Sequence, residues 1–196
     1  MKTGLFFGSF NPIHNGHIAI AGYILEFTDL EEIWFVVSPQ NPLKKQHLLA
    51  PDKHRLEMTR LAIEDFKPKI SLCDIEMNMP RPSYTVDTLK ALDEQYPMRE
   101  FAVLMGADSM ESIHRWKGFE TLLNSYRIMV YPRLGSNVNK ICRKYKVEII
   151  DAPIMEISST FLRSSILKNK KVDYFMPIKA YRYLINNNLY KAEIDE

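Results

Sequence analysis

Short unbroken apolar runs alternate along this chain with stretches whose apolar residues recur every three or four positions. A run of four to six apolar residues closed by turn formers suits a strand covered on both faces, and the longer spacing suits a helix with one buried side. Lys2 to Phe7 reads as the first strand and Asn15 to Thr28 as its helix, with a glycine- and proline-bearing turn between them. Glu32 to Val37 is a second strand ended by Ser38-Pro39, and the polar, basic segment Gln40 to His47 after it reads as a loop. Pro51-Asp52 opens a helix with Leu56, Thr59, Ala62, Ile63 and Phe66 at helical spacing. Lys69 to Cys73 is a third strand, and Val86 to Tyr96 a helix capped by Ser83 or Thr85. Phe101 to Met105, Arg127 to Tyr131 and Val147 to Ile150 complete the strands, with short helical stretches at Asp108 to His114, Thr121 to Asn124 and Asn137 to Tyr145. Two helices, Phe161 to Leu167 and Pro177 to about Asn187, close the chain.

This alternation predicts an α/β fold: a doubly wound, mainly parallel sheet with helices on both faces and right-handed crossovers. No repeat or linker divides it, so residues 1–196 are expected to form a single domain with a small helical part over about 158–190. In such sheets ligands sit beyond the carboxyl ends of the strands, where strand order reverses. The polar residues of interest fall there: His14 and His17 after the first strand, Asn41 and Lys44 after the second, Gly106-Ala107-Asp108 after the fourth.

Composition narrows the classes. Lys and Arg number 26 against 24 Asp and Glu, a net of +2, which gives no electrostatic basis for general nucleic-acid binding. Cys73 and Cys142 lack CxxC spacing and read as reduced structural thiols. The apolar start is too short for a signal peptide, and no run approaches the ~18 residues that span a bilayer, so a soluble cytoplasmic protein is expected, monomeric or homo-oligomeric, with no membrane partner.

The chemistry concentrates in Gly8-Ser9-Phe10-Asn11-Pro12-Ile13-His14-Asn15-Gly16-His17. Two imidazoles three residues apart at a helix mouth share one face, and the free N–H groups there favour an anion. No Gly-Lys-Ser/Thr and no GxGxxG follows, so neither a Walker loop nor a dinucleotide fingerprint is present; no third ligand or HExxH supports zinc. Near the other end, Ile157-Ser158-Ser159-Thr160-Phe161-Leu162-Arg163 places hydroxyls at a helix start and a guanidinium about one turn in, a second set of phosphate donors.

Gly8-x-Phe10-x-Pro12-x-His14-x-Gly16-His17 resembles the (T/H)xGH signature of the nucleotidyltransferase superfamily, and Ile157 to Arg163 resembles its ISSTxxR motif. Pro82-Ser83-Tyr84-Thr85-Val86-Asp87-Thr88-Leu89, with Gly106-x-Asp108-Ser109 and Trp116, is similar to the bacterial nicotinate-mononucleotide adenylyltransferases, over about residues 3–165. That resemblance implies a Rossmann-like nucleotidyltransferase fold and adenylyl transfer from ATP to nicotinate mononucleotide, with Mg²⁺ held mainly by the ATP phosphates. It implies His14, His17 and Arg163 as catalytic residues. Gly8, Ser9, Phe10, Gly106, Asp108, Ile157, Ser158 and Thr160 would join them around ATP, and Asn41, Lys44, Thr85 and Trp116 would bind the acceptor. Phe7 and Lys117-Gly118 depart from the pattern; a cationic Lys117 would favour an acid over an amide. Transfer to nicotinamide mononucleotide or phosphopantetheine, or a non-catalytic nucleotide-sensing module, remain as alternatives.

Overall fold

The computed structural model describes residues 1–39 and 49–191, the side chains of Asn139 and Cys142 excepted. The strands are β1 (Lys2–Gly8), β2 (Glu32–Val37), β3 (Ile70–Cys73), β4 (Glu100–Gly106), β5 (Arg127–Tyr131) and β6 (Glu148–Ile149). The helices are α1 (Asn15–Phe27), α2 (Asp52–Ile63), α3 (Thr85–Gln95), α4 (Ala107–Glu111), α5 (Phe119–Ser125), α6 (Val138–Lys144), α7 (Ser159–Leu167) and α8 (Ile178–Asn186). All the pairings are parallel, in the order β3-β2-β1-β4-β5-β6. The chain therefore works outward from β1 in one direction, then returns past it to β4 and works outward in the other. The reversal lies between β1 and β4, whose registers pair Phe6 with Leu104.

Strand alternation divides the core into two layers. On one face Phe6, Phe35, Leu104 and Met129 meet Ile20 and Ile24 of α1, Met58 and Ile63 of α2, Leu162 of α7 and Leu184 of α8. On the other, Leu5, Trp34, Val103 and Val130 meet Leu89 and Leu92 of α3, Met110 of α4, Leu122 of α5 and Ile141 of α6. The unbroken apolar strand runs are explained by this double coverage. Among the described residues no helix is long and apolar enough to cross a membrane.

Two local expectations are corrected. Phe66 is 46% exposed, because α2 ends at Ile63 and a 3₁₀ turn over Glu64–Phe66 swings it off the core face. The position facing inward is Arg55, 0% exposed, with Met58 and Ile63. Neither Ser83 nor Thr85 caps α3, whose N-cap is Tyr84. Ser83 donates instead to the buried carboxylate of Glu76 at 2.7 Å, which also accepts from Thr88 at 2.8 Å.

Candidate active site

The carboxyl ends of β1, β4 and β5 open into a cleft of about 790 Å³. Its floor is the turn after β1. Phe10 sits there at φ 41°, a left-handed conformation uncommon for a bulky residue. The reversal folds its ring back beneath β1, against Phe6 (centroids 6.0 Å), Phe35 (5.1 Å) and His17 (5.1 Å). A Cβ on Gly8 would stand 2.8 Å from that ring, so the turn requires glycine at this place.

Helix α1 then presents both imidazoles. Their rings stack with centroids 3.7 Å apart, and both line the cleft. The close fit depends on Gly16, where a Cβ would meet the His14 ring at 3.0 Å. The His14 N–H donates to His17 Nδ1 at 3.2 Å, and the His17 N–H returns to the His14 carbonyl at 2.9 Å. Because Nδ1 of His17 accepts this bond, a neutral His17 ring carries its proton on Nε2. His14 is 3% exposed, and its Nδ1 is buried with no hydrogen-bond partner among the described residues. Burial, assisted by the nearby Arg133 cation, pushes its pKa down to about 3.

Helix α7 approaches from the opposite wall and is bolted to the β1 turn. Ser159 Oγ donates to the Pro12 carbonyl at 2.9 Å, and Arg163 donates to the Asn11 carbonyl at 2.7 Å. Arg163 also reaches Thr160 Oγ1 at 3.3 Å. Ser158 is the N-cap of α7, its Oγ accepting from the Phe161 N–H at 3.2 Å. That hydroxyl therefore spends an acceptor lone pair on the helix and keeps its proton to donate. The two motifs, far apart in sequence, form one structure.

Gly106 ends β4, and Asp108 lies beyond it with its carboxylate 65% exposed at the cleft edge. The cleft walls include Gly8, Ser9, Phe10, Ile157, Thr160 and Trp116. Thr85 is not among them; it is the first residue of α3. Lys117 is already engaged: its ammonium pairs with Asp87 at 2.8 Å and lies 4.6 Å from the centre of the Tyr84 ring. The charge anticipated as a lure for a substrate carboxylate is thus held by a side chain of α3. Asn41 and Lys44 lie outside the described residues.

Sequence reasoning passed over two guanidiniums. Arg133 follows β5, as Asp108 follows β4, and lines the cleft with Nε 3.8 Å from Asp108 Oδ1 and its guanidinium 5.4 Å from the Tyr131 ring centre. Its Nε is buried and makes no hydrogen bond among the described residues. The strand-end rule that selected Asp108 selects Arg133 equally. Arg55 projects inward from α2 and donates to the carbonyls of Ser9 and Ser38 (both 2.7 Å), Pro39 (2.9 Å) and Ala50 (3.1 Å). Asp52 pairs with it and with Arg81. No periodicity distinguishes such an arginine from a surface one, and it is legible only in three dimensions.

The sequence profile of the cytidylyltransferase-like family matches residues 5–165. A protein of Flavobacterium johnsoniae named probable nicotinate-nucleotide adenylyltransferase is 48% identical over 193 residues, 97% of this chain and 100% of that one. Its namesake in Bacteroides fragilis is 45% identical over 184 residues, 94% and 91% of the two chains. Among solved structures, Plasmodium falciparum nicotinic acid mononucleotide adenylyltransferase complexed with NaAD superposes with a TM-score of 0.82 at 25% identity, covering 96% of this chain and 97% of that one.

Proposed function

The chain belongs to the cytidylyltransferase-like family, and we infer that it is a nicotinate-nucleotide adenylyltransferase, joining ATP to nicotinate mononucleotide with release of pyrophosphate. One observation carries the mechanism: Arg163 and Ser159 of α7 are hydrogen-bonded to the turn that presents His14 and His17. Phosphate donors from both ends of the sequence thereby face one cleft at the strand reversal.

An oxygen of the mononucleotide phosphate attacks the α-phosphorus of ATP in line, a new phosphoanhydride bond forms, and the α–β bridging bond breaks to free pyrophosphate. The attacking phosphate is already anionic, so no general base is required. What the protein supplies is placement and charge stabilisation. His14 and His17 donate to the triphosphate where charge builds on the transferring group and the leaving oxygen. Arg163 and Thr160 hold the phosphates from the α7 side, with the Ser158 hydroxyl still able to donate. Gly8, Ser9, Phe10 and Ile157 shape the backbone surface. Asp108, exposed at the end of β4, accepts from ribose hydroxyls beside Gly106. Trp116 offers its ring to the pyridine, and Thr85 supports that pocket from α3. Asn41 and Lys44 remain assigned to the acceptor phosphate. Mg²⁺ bound with ATP would be held mainly by the ATP phosphates and would neutralise charge there. The protein is read as cytoplasmic.

The test is pyrophosphate release by the purified protein with ATP, Mg²⁺ and each candidate acceptor in turn. Turnover with nicotinate mononucleotide, well above that with its amide or with phosphopantetheine, is expected. Faster turnover with the amide would overturn the acceptor, and none with any acceptor would overturn the enzyme.

A further inference from the structure

The turn between β1 and α1 is held from below by a residue from the far end of the chain. Asn11 Oδ1 accepts from the Ala50 N–H at 3.0 Å and from the Tyr190 hydroxyl at 2.7 Å. Tyr190 follows α8 by a short tail that turns sharply. Asn188 and Tyr190 both adopt positive φ, 50° and 61°, and Leu189 between them is buried in the core with its N–H on the Leu184 carbonyl at 3.1 Å. A left-handed tyrosine costs backbone energy, and such outliers persist where surrounding contacts impose them. Here the outcome is a phenol delivered beneath the phosphate turn, 179 positions from its partner in sequence. The ring packs at the margin of the core. Burial pushes its phenol above the usual range, with the Arg55 and Arg163 cations pulling the other way, so it stays a proton donor at working pH.

Asn11 is the shared node. Its carbonyl takes the Arg163 hydrogen bond and its side chain takes the Tyr190 one. We propose that Tyr190 is a positioning residue for adenylyl transfer, fixing the Asn11 side chain so that the turn offers its carbonyl to Arg163 and its helix start to the triphosphate. The tail after α8 is by this account part of the active site. This rests on the function inferred above.

Tyr190→Phe keeps the ring and removes only the donor. Loss of one neutral hydrogen bond of this kind predicts kcat lower by roughly three- to tenfold, with KM for nicotinate mononucleotide unmoved and the melting temperature lowered by only about 2–4 °C. Made on top of Asn11→Ala, the same change should cost nothing further. Equal losses in both backgrounds, or wild-type kcat in Tyr190→Phe, would overturn the proposal. ATP affinity by calorimetry repeats the cycle without turnover: a protein inactive on every acceptor would sink the functional reading, while coupling between Asn11 and Tyr190 in ATP binding would still be measured.

Discussion

The two histidines do different work because their surroundings differ. His17 lines the cleft with Nδ1 committed to a backbone N–H, so its neutral ring carries the proton on Nε2. On the role proposed for it, replacing His17 with Ala should lower kcat by roughly 10²- to 10³-fold, the scale for losing one transition-state donor. ATP affinity measured alongside should change much less. His14 instead registers burial. Its imidazole titrates at 6.5 when exposed and at about 3 in the fold. Between those values the unfolded chain binds the extra proton, so folding stability is unaffected above pH 6.5 and declines as pH falls below it, by up to about 1.4 kcal/mol per pH unit. His14→Gln should flatten that decline in denaturant titrations run from pH 7 to 4; identical slopes would show that His14 does not carry it. At this scale the sequence was legible where a residue's neighbours are local. The spacing of His14, Gly16 and His17 announces a shared face, whereas the pairing of Lys117 with Asp87 joins segments that periodicity cannot bring together.

At the scale of elements, α2 and α7 act as brackets around the turn between β1 and α1. Helix α7 reaches it through Ser159 and Arg163, and α2 through Arg55. Arg55 also ties the turn to the end of β2 and to Ala50, gathering carbonyls that would otherwise face each other without a donor. Arg55→Met leaves Asp52 and these carbonyls without their buried cation, and should destabilise the fold by about 3–5 kcal/mol in chemical denaturation. A loss below about 1 kcal/mol would show that water can replace it. The element pattern read from the sequence matches the strands closely, since runs such as Ile33 to Val37 admit one reading. Helix ends were harder. Ser83 is a good cap by composition, yet Glu76, buried nearby, captures its hydroxyl, and tertiary contact overrides local preference.

For the whole molecule, the strand order is not legible residue by residue; what the sequence offers instead is the convergence of polar residues after successive strands. That convergence pointed to the carboxyl ends of the strands, where the cleft opens, while the residues of α7 came from the resemblance of their motif. It missed Arg133, although the same rule selects it, and could not reach Arg55 or Tyr190, whose roles depend on packing across the face shared by α1, α2, α7 and α8.

The bonds that close the cleft span nearly the full chain: Ser159 to Pro12 bridges 147 positions, Arg163 to Asn11 152, and Tyr190 to Asn11 179. On the ribosome, β1 and the turn after it emerge long before the residues that hold that turn in place. A growing chain thus carries the signature for most of its synthesis before the residues that fasten its turn exist.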